Sequence, residues 1–107
     1  EDINEMRIEG HTSSVWNRHV SPSEAYFLNM QLSQGRTRNV LEYVYGLDAV
    51  APYQKWLKGH VAAVGFSSSR PIENDKGKED GRASRRVTFR VITNAEIKIK
   101  TILETVQ

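Results

Sequence analysis

Strand-like alternation towards both ends of the chain, helical spacing between, and a short apolar run in the middle predict an α+β fold, with helices packed on one side of a small mixed sheet. Met6 to Glu9 alternates apolar and charged residues, the signature of a short half-buried strand, and Gly10 with His11-Thr12-Ser13-Ser14 ends it. Arg86 to Thr93 alternates more cleanly: Val87, Phe89 and Val91 fall on one face and Arg86, Thr88 and Arg90 on the other. The first face is expected to be core. Between these runs, Val61-Ala-Ala-Val64 reads as a small buried strand preceded by two helical stretches. That order allows a right-handed crossover to a parallel neighbour.

Val15 to Ser23 is irregular and contains Pro22, and Ser21 or Ser23 can cap a short helix from Glu24 towards Met30. Ser33 is placed to cap a second helix, from Gln34 to Tyr45. Val40, Leu41, Val44 and Tyr45 sit there at helical spacing, and Gly46 supplies a stop. Gly35 is an awkward first-turn residue, worth up to about 1 kcal/mol against Ala. Asp48 to Leu57 reads as a linker and a short helix with Pro52 near its first turn. Phe66 to Ser84 is a long polar surface loop whose mixed-charge run, Glu73 to Gly81, reads as solvated. Asn94 to Gln107 returns to helical spacing through Ile97, Ile102, Leu103 and Val106.

Composition bounds what such a domain does. A chain of 107 residues, 38% hydrophobic and 26% charged, is one globular domain over 1–107 with enough mass for a core. A formal charge of +2 is too mild for a nucleic-acid tail. The absence of cysteine excludes disulfides, thiol catalysis and Cys-based zinc sites. No apolar run approaches the roughly 20 residues of a membrane span. The start, Glu1 to Met6, enters a strand almost at once and reads as the start of an excised or processed domain.

Chemistry-bearing patterns are few. His11, His19 and His60 have no metal-ligand spacing, so no metal is expected. Neither a nucleophile elbow, a P-loop nor a dinucleotide fingerprint occurs; the chain is expected to be no enzyme and to need no cofactor. Arg82, Arg85, Arg86 and Arg90 form a basic patch. The aromatic signature of RNA recognition is missing, and no nucleic acid is expected. Trp16, Tyr26 and Phe27 suit either core or a sugar platform.

The strongest local constellation is Ser33 to Arg36. If Ser33 caps a helix, Arg36 stands in its first turn beside unpaired N–H groups, an arrangement that suits a carboxylate. The guanidinium fork then binds the anion bidentately, or else pairs internally with an acid such as Glu9.

Four segments in a fixed order carry a family resemblance. They are Arg7-Ile-Glu-Gly-His-Thr12, Asn29-x-x-Leu32-Ser33-x-x-Arg36 followed by Val40, Gly65-Phe66 with Pro71, and Gly81-Arg-Ala-Ser-Arg-Arg-Val87. Over about Met6 to Val91 the chain resembles the OmpA-like domain of porin tails, peptidoglycan-associated lipoproteins and flagellar stator B-type subunits. The resemblance implies noncovalent binding of peptidoglycan at the periplasmic face of the bacterial envelope, by a domain whose parent is membrane-anchored; it allows a homodimer. Arg36 is implied to hold the carboxylate of diaminopimelate in the stem peptide. Asn29, Leu32 and Thr12 are implied to shape the pocket, with Ser33 beside them, and Arg86 or Arg85 to line or support it.

Two departures stand out. The family holds the diaminopimelate ammonium with an aspartate after the Gly-x-Thr turn; here that position is Ser13, a ligand-binding candidate whose hydroxyl can still hydrogen-bond the ammonium without the charge. The segment from Ser13 to Asn29 is also longer than in the family. The alternative implied by the lost aspartate is an interaction module of the same fold without wall binding, as a stator-type or envelope-assembly subunit. The family's first strand and helix have no counterpart before Ile3, which predicts an uncovered strand edge or apolar face unless a partner chain or the C-terminal helix fills it.

Overall fold

The computed structural model describes residues 2–16 and 19–105. Its elements are β1 (Ile3–His11), α1 (Pro22–Tyr45), a 3-10 turn (Asp48–Tyr53), α2 (Gln54–His60), β2 (Val61–Gly65), α3 (Gly81–Ser84), β3 (Arg86–Thr93) and α4 (Asn94–Thr105). The three strands form one mixed sheet in the order β2-β1-β3, with β1 parallel to β2 and antiparallel to β3. The α+β class, the mixed sheet and the parallel neighbour are as expected.

The expected break between two helices at Met30–Ser33 does not occur. A single 24-residue helix runs from Pro22 to Tyr45, capped by the Ser21 hydroxyl, which accepts from the Glu24 N–H at 3.1 Å. Pro22 supplies the pre-set φ of a first helical residue. Ser33 is therefore not an N-cap, and Arg36 lies mid-helix. The physical reason is that Ser33 satisfies its hydroxyl inside the helix, donating to Met30 O at 2.9 Å, so it offers no competing cap. A mid-helix Gly35 costs only a fraction of what α1 gains by packing on the sheet.

The strand registers sort the sheet into two faces. Met6, Ile8 and Gly10 share one with Val61, Ala63 and Gly65 on β2 and Val87, Phe89 and Val91 on β3. Arg7, Glu9 and His11 share the other with Arg86, Thr88 and Arg90. On the first face α1 crosses the carboxyl ends of β1 and β2 at very short range. A Cβ placed on Gly10 would lie 2.7 Å from Ser33 O and 2.8 Å from Thr37 Cγ2. One on Gly65 would lie 2.5 Å from Gln34 Cγ and 2.6 Å from Ser33 Oγ. Such contacts are tolerable only because both residues lack a side chain.

The interior is small and unusually polar. Among the described residues Ile8, Ala25 and Ile92 are the buried hydrophobic ones, whereas Ser33, Thr37, Ser67 and Ser84 are wholly enclosed. The expected burial of Phe89 is not observed: it is 60% exposed, and Val91 is exposed beside it. α1 covers the β1–β2 half of the face, and β3 is an edge strand beyond its reach. β2, expected to be buried, is the opposite edge and only half-buried. The first turns of α4 line a cleft with Arg7, Arg90 and Ile92 on the charged face, so the helices do not all lie on one side. Ile99, Ile102 and Leu103 of α4 remain exposed, and Val106 lies outside the described residues.

Gly10→Ala and Gly65→Ala are each expected to lower the unfolding free energy by about 1–3 kcal/mol, since the clash is with helix backbone and its immediate side chains. Gly35→Ala, where an added Cβ meets nothing within 4 Å, is expected to raise it by up to about 1 kcal/mol. Urea denaturation of the three variants checks the contrast.

Candidate functional site

Of the expected site residues, Thr12, Ser13, Asn29 and Ser33 are buried near the carboxyl ends of β1 and β2, Leu32 and Arg36 lie on the exposed flank of α1, and Arg86 lies on the opposite face of the sheet. One residue joins the three elements. Ser67 is fully buried and has φ +55°, an uncommon conformation for a residue with a side chain. Its N–H donates to Ser33 Oγ at 3.1 Å, its hydroxyl donates to Tyr26 O, and its carbonyl accepts the Thr12 N–H at 2.9 Å. Phe66 N–H donates to Gly10 O at 2.9 Å one step earlier. Ser67 thus ties the Gly10–Thr12 turn to α1. In the sequence it is the first of three consecutive serines in a polar loop, with nothing local to mark it.

Around that knot, Thr12, Ser13 and Asn29 are 2%, 4% and 2% exposed. Thr12 Oγ1 and Asn29 Nδ2 are buried without a hydrogen-bond partner among the described residues. Buried polar atoms are paired in the great majority of cases, so two orphans from adjoining elements require an explanation. Asn29, Leu32, Ser33 and Arg36 follow one another on α1 at i, i+3, i+4 and i+7 and form a single stripe. Asn29 and Ser33 sit at its buried floor, and Leu32 and Arg36 on its exposed flank.

The Arg36 side chain makes no hydrogen bond or ion pair with any described residue. The internal alternative, pairing with Glu9, is not formed: Glu9 is buried, accepts from the Thr88 hydroxyl at 3.4 Å through Oε1, and keeps Oε2 unpartnered. Because Arg36 stands mid-helix, the expected assistance from free N–H groups and the helix dipole is absent. An anion meets the side chain alone.

The two arginines of the closing segment divide their tasks. Arg86 donates to Ser84 O at 3.1 Å and to Arg70 O at 3.3 Å, which fastens the 70–84 segment to β3. Arg85 reaches the turn itself, with Nη1 3.4 Å from Ser13 Oγ. On the far side of β1, His11 stacks on Phe66 (centroids 5.2 Å apart) and the Arg70 guanidinium lies over the Phe66 ring, 3.9 Å from its centroid. Burial, reinforced by Arg86, holds the His11 imidazole pKa below its ordinary 6.5; Glu9 partly offsets this and Arg70 adds to it.

The class that fold and site define is a small α+β domain with a parallel β1–α1–β2 unit and a polar site at its strand ends. No family model matches the sequence. The chain is 56% identical to the Zorya protein ZorB of Escherichia coli strain Crooks over 104 residues, 97% of this chain and 44% of that protein. It is 30% identical over 84 residues to the uncharacterized protein YtxE of Bacillus subtilis strain 168, covering 78% of this chain and 31% of that protein. The chain therefore spans less than half the length of each of these relatives.

Ser33→Ala strands the buried Ser67 N–H and is expected to cost about 1–3 kcal/mol in urea denaturation. His11 gives a pH signature. Its folded pKa is depressed, so the unfolded chain binds more protons as pH drops through about 6.5, and stability falls with it. The urea midpoint is expected to drop between pH 7.5 and 5.5. His11→Phe, which retains the ring stack, is expected to reduce that drop.

Proposed function

We propose that the domain binds peptidoglycan noncovalently and anchors its parent protein to the cell wall, performing no chemistry of its own. One observation carries the reading. An exposed guanidinium, Arg36, with no internal partner among the described residues, shares a helix stripe with the buried floor at Asn29 and Ser33, where Asn29 Nδ2 and Thr12 Oγ1 lack partners. An unpaired arginine offers a planar two-point contact for a carboxylate. The buried amide and hydroxyl suit the polar groups that flank such a carboxylate in a stem peptide. The OmpA-like resemblance of the four segments supports the same ligand, a diaminopimelate-type carboxylate.

Likeness to ZorB supports a wider setting. We infer that the parent is a membrane-anchored, stator-type subunit of the envelope, that this domain lies on its periplasmic side, and that it serves in a Zorya system with protein partners. No helix among the described residues is long and apolar enough to cross a membrane. In this reading the membrane anchor is a separate part of the parent.

A second reading, an interaction module of the same fold without a wall ligand, is favoured by one feature. Phe89 and Val91 on β3, with Ile97, Ile99, Ile102 and Leu103 on α4, leave apolar surface exposed of the kind that marks protein contacts.

Sedimentation with purified sacculi separates the two. Wild-type protein is expected to co-sediment, and Arg36→Ala to lose at least tenfold in retention, about 1.4 kcal/mol or more, with an unchanged circular dichroism spectrum. Equal retention of the variant removes Arg36 from the site and favours the interaction module.

A further inference from the structure

The sheet ends at β2, and no described residue pairs with the outer side of that strand. Phe66 N–H donates to Gly10 O, so by the alternation of a parallel ladder Ala62 and Val64 also turn their backbone groups to β1. Val61, Ala63 and Gly65 turn theirs outward. The Val61 N–H is taken up by Leu57 O at the end of α2. The Val61 carbonyl and both backbone groups of Ala63 and Gly65 have no partner among the described residues. Edges of this kind are normally guarded by charged side chains, a proline or a bulge. β2 has none of these: it reads Val61-Ala-Ala-Val-Gly65, and its register with β1 is unbroken. β3, the other edge, carries Arg86 and Arg90.

A groove lies beside the open edge. Gly65 meets α1 at Ser33 and Gln34, and from there the helix runs back along β2, so that Leu41 and Tyr45 stand beside Val61. With Leu57 they line a cavity of ≈ 300 Å³, and all four apolar residues are only half-buried. Its rim is Arg38, Glu42 and Lys58. Arg38 and Glu42 approach to 3.7 Å with both side chains largely exposed, a contact that adds little and is readily exchanged. Lys58 Nζ lies 5.7 Å from the Tyr45 ring centroid and has no ion-pair partner among the described residues. The rim therefore carries net positive charge. Residues two apart on an added strand would share the face of this groove. One beside Val61 meets the apolar lining, and one beside the middle of β2 comes level with Arg38, which lies on α1 between Gln34 and Leu41.

We propose that the open edge of β2 is a docking site for an extended segment of a partner protein. The segment adds as a strand outside β2, seats an apolar side chain among Leu41, Tyr45, Leu57 and Val61, and sets an acidic side chain two residues away against Arg38. Main-chain hydrogen bonds to Ala63 and Gly65 supply affinity, and the groove and its rim supply the sequence preference. A second copy of this chain does not fit these requirements. Its own β2 has no acid to offer, and pairing β2 with β2 brings the Arg38 and Lys58 rims of both copies together. The docking edge involves neither Arg36 nor the turn at Thr12, so it stands apart from the wall-binding reading.

The test pans a random-peptide display library on the full-length protein and measures the enriched peptides, fluorescently labelled, by anisotropy. Enriched sequences are expected to carry an apolar residue and Asp or Glu two positions apart. Ala63→Pro removes an outward N–H and suits a sheet edge, and it is expected to weaken those peptides roughly tenfold. Arg38→Glu, at an exposed helix position, is expected to weaken them roughly tenfold and to favour peptides with Lys in place of the acid. Should Ala63→Pro lose the wild-type circular dichroism spectrum, N-methylation of alternate peptide amides removes the same edge bonds and is expected to have the same effect. No enrichment over an unrelated protein, or enriched peptides that bind both variants as they bind wild type, overturns the docking site. Loss with Ala63→Pro but not with Arg38→Glu overturns the acid preference. If Ala63→Pro instead turns a dimer into a monomer in sedimentation velocity, a second copy occupies the edge and the partner assignment is overturned.

Discussion

The structure depends on the close approach of α1 to the carboxyl ends of β1 and β2. Two glycines, Gly10 and Gly65, let the helix backbone at Ser33 come within a distance that any Cβ would forbid. At that range large apolar side chains do not fit, and small hydroxyl residues fill the seam instead: Ser33, Thr37 and Ser67 are all fully enclosed. Each must then be hydrogen-bonded, because burying an unpaired hydroxyl or amide costs more than the bond itself returns. Ser67 in its left-handed conformation is the piece that closes this account, satisfying strand turn, helix and its own backbone together.

The site is a by-product of the same seam. Holding the Gly10–Thr12 turn against α1 puts Thr12 beneath the helix and leaves Arg36 on its outer flank. The polar atoms left unpaired, Thr12 Oγ1 and Asn29 Nδ2, are found where the network stops. The closing segment then works from the other side. Arg86 secures it to β3, Ser84 and Asp80 shape it, and Arg85 and Glu79 reach the Ser13–Ser14 turn with opposite charges. The hairpin carrying Glu79 has its own internal bonds, made by Asn74 at its tip and Asp80 and Ser84 at its base.

The fully buried interior is built mainly from this polar seam. Among the described residues the buried hydrophobic side chains are few, and β3 and α4 expose Phe89, Val91 and the α4 isoleucines. Those elements lie away from the seam. The proposed wall-binding site at the strand ends and the exposed apolar surface of β3 and α4 are therefore separate surfaces.

By itself the sequence determined the α+β class and the β1 and β3 segments, because alternation and glycine turns are local properties. It did not determine whether Ser33 caps a helix or lies inside one. That choice turns on whether Ser67, 34 residues away, arrives to accept its place in the seam. Nor did the alternation of β3 reveal which apolar face is covered, since coverage depends on where α1 lands. The carboxylate at Ser14 was hidden for the same reason: Glu79 lies 65 residues from the turn, and only the folded hairpin places it there. Local pattern specifies elements and their polarity; the tertiary structure alone decides which distant groups satisfy one another's hydrogen bonds and charges.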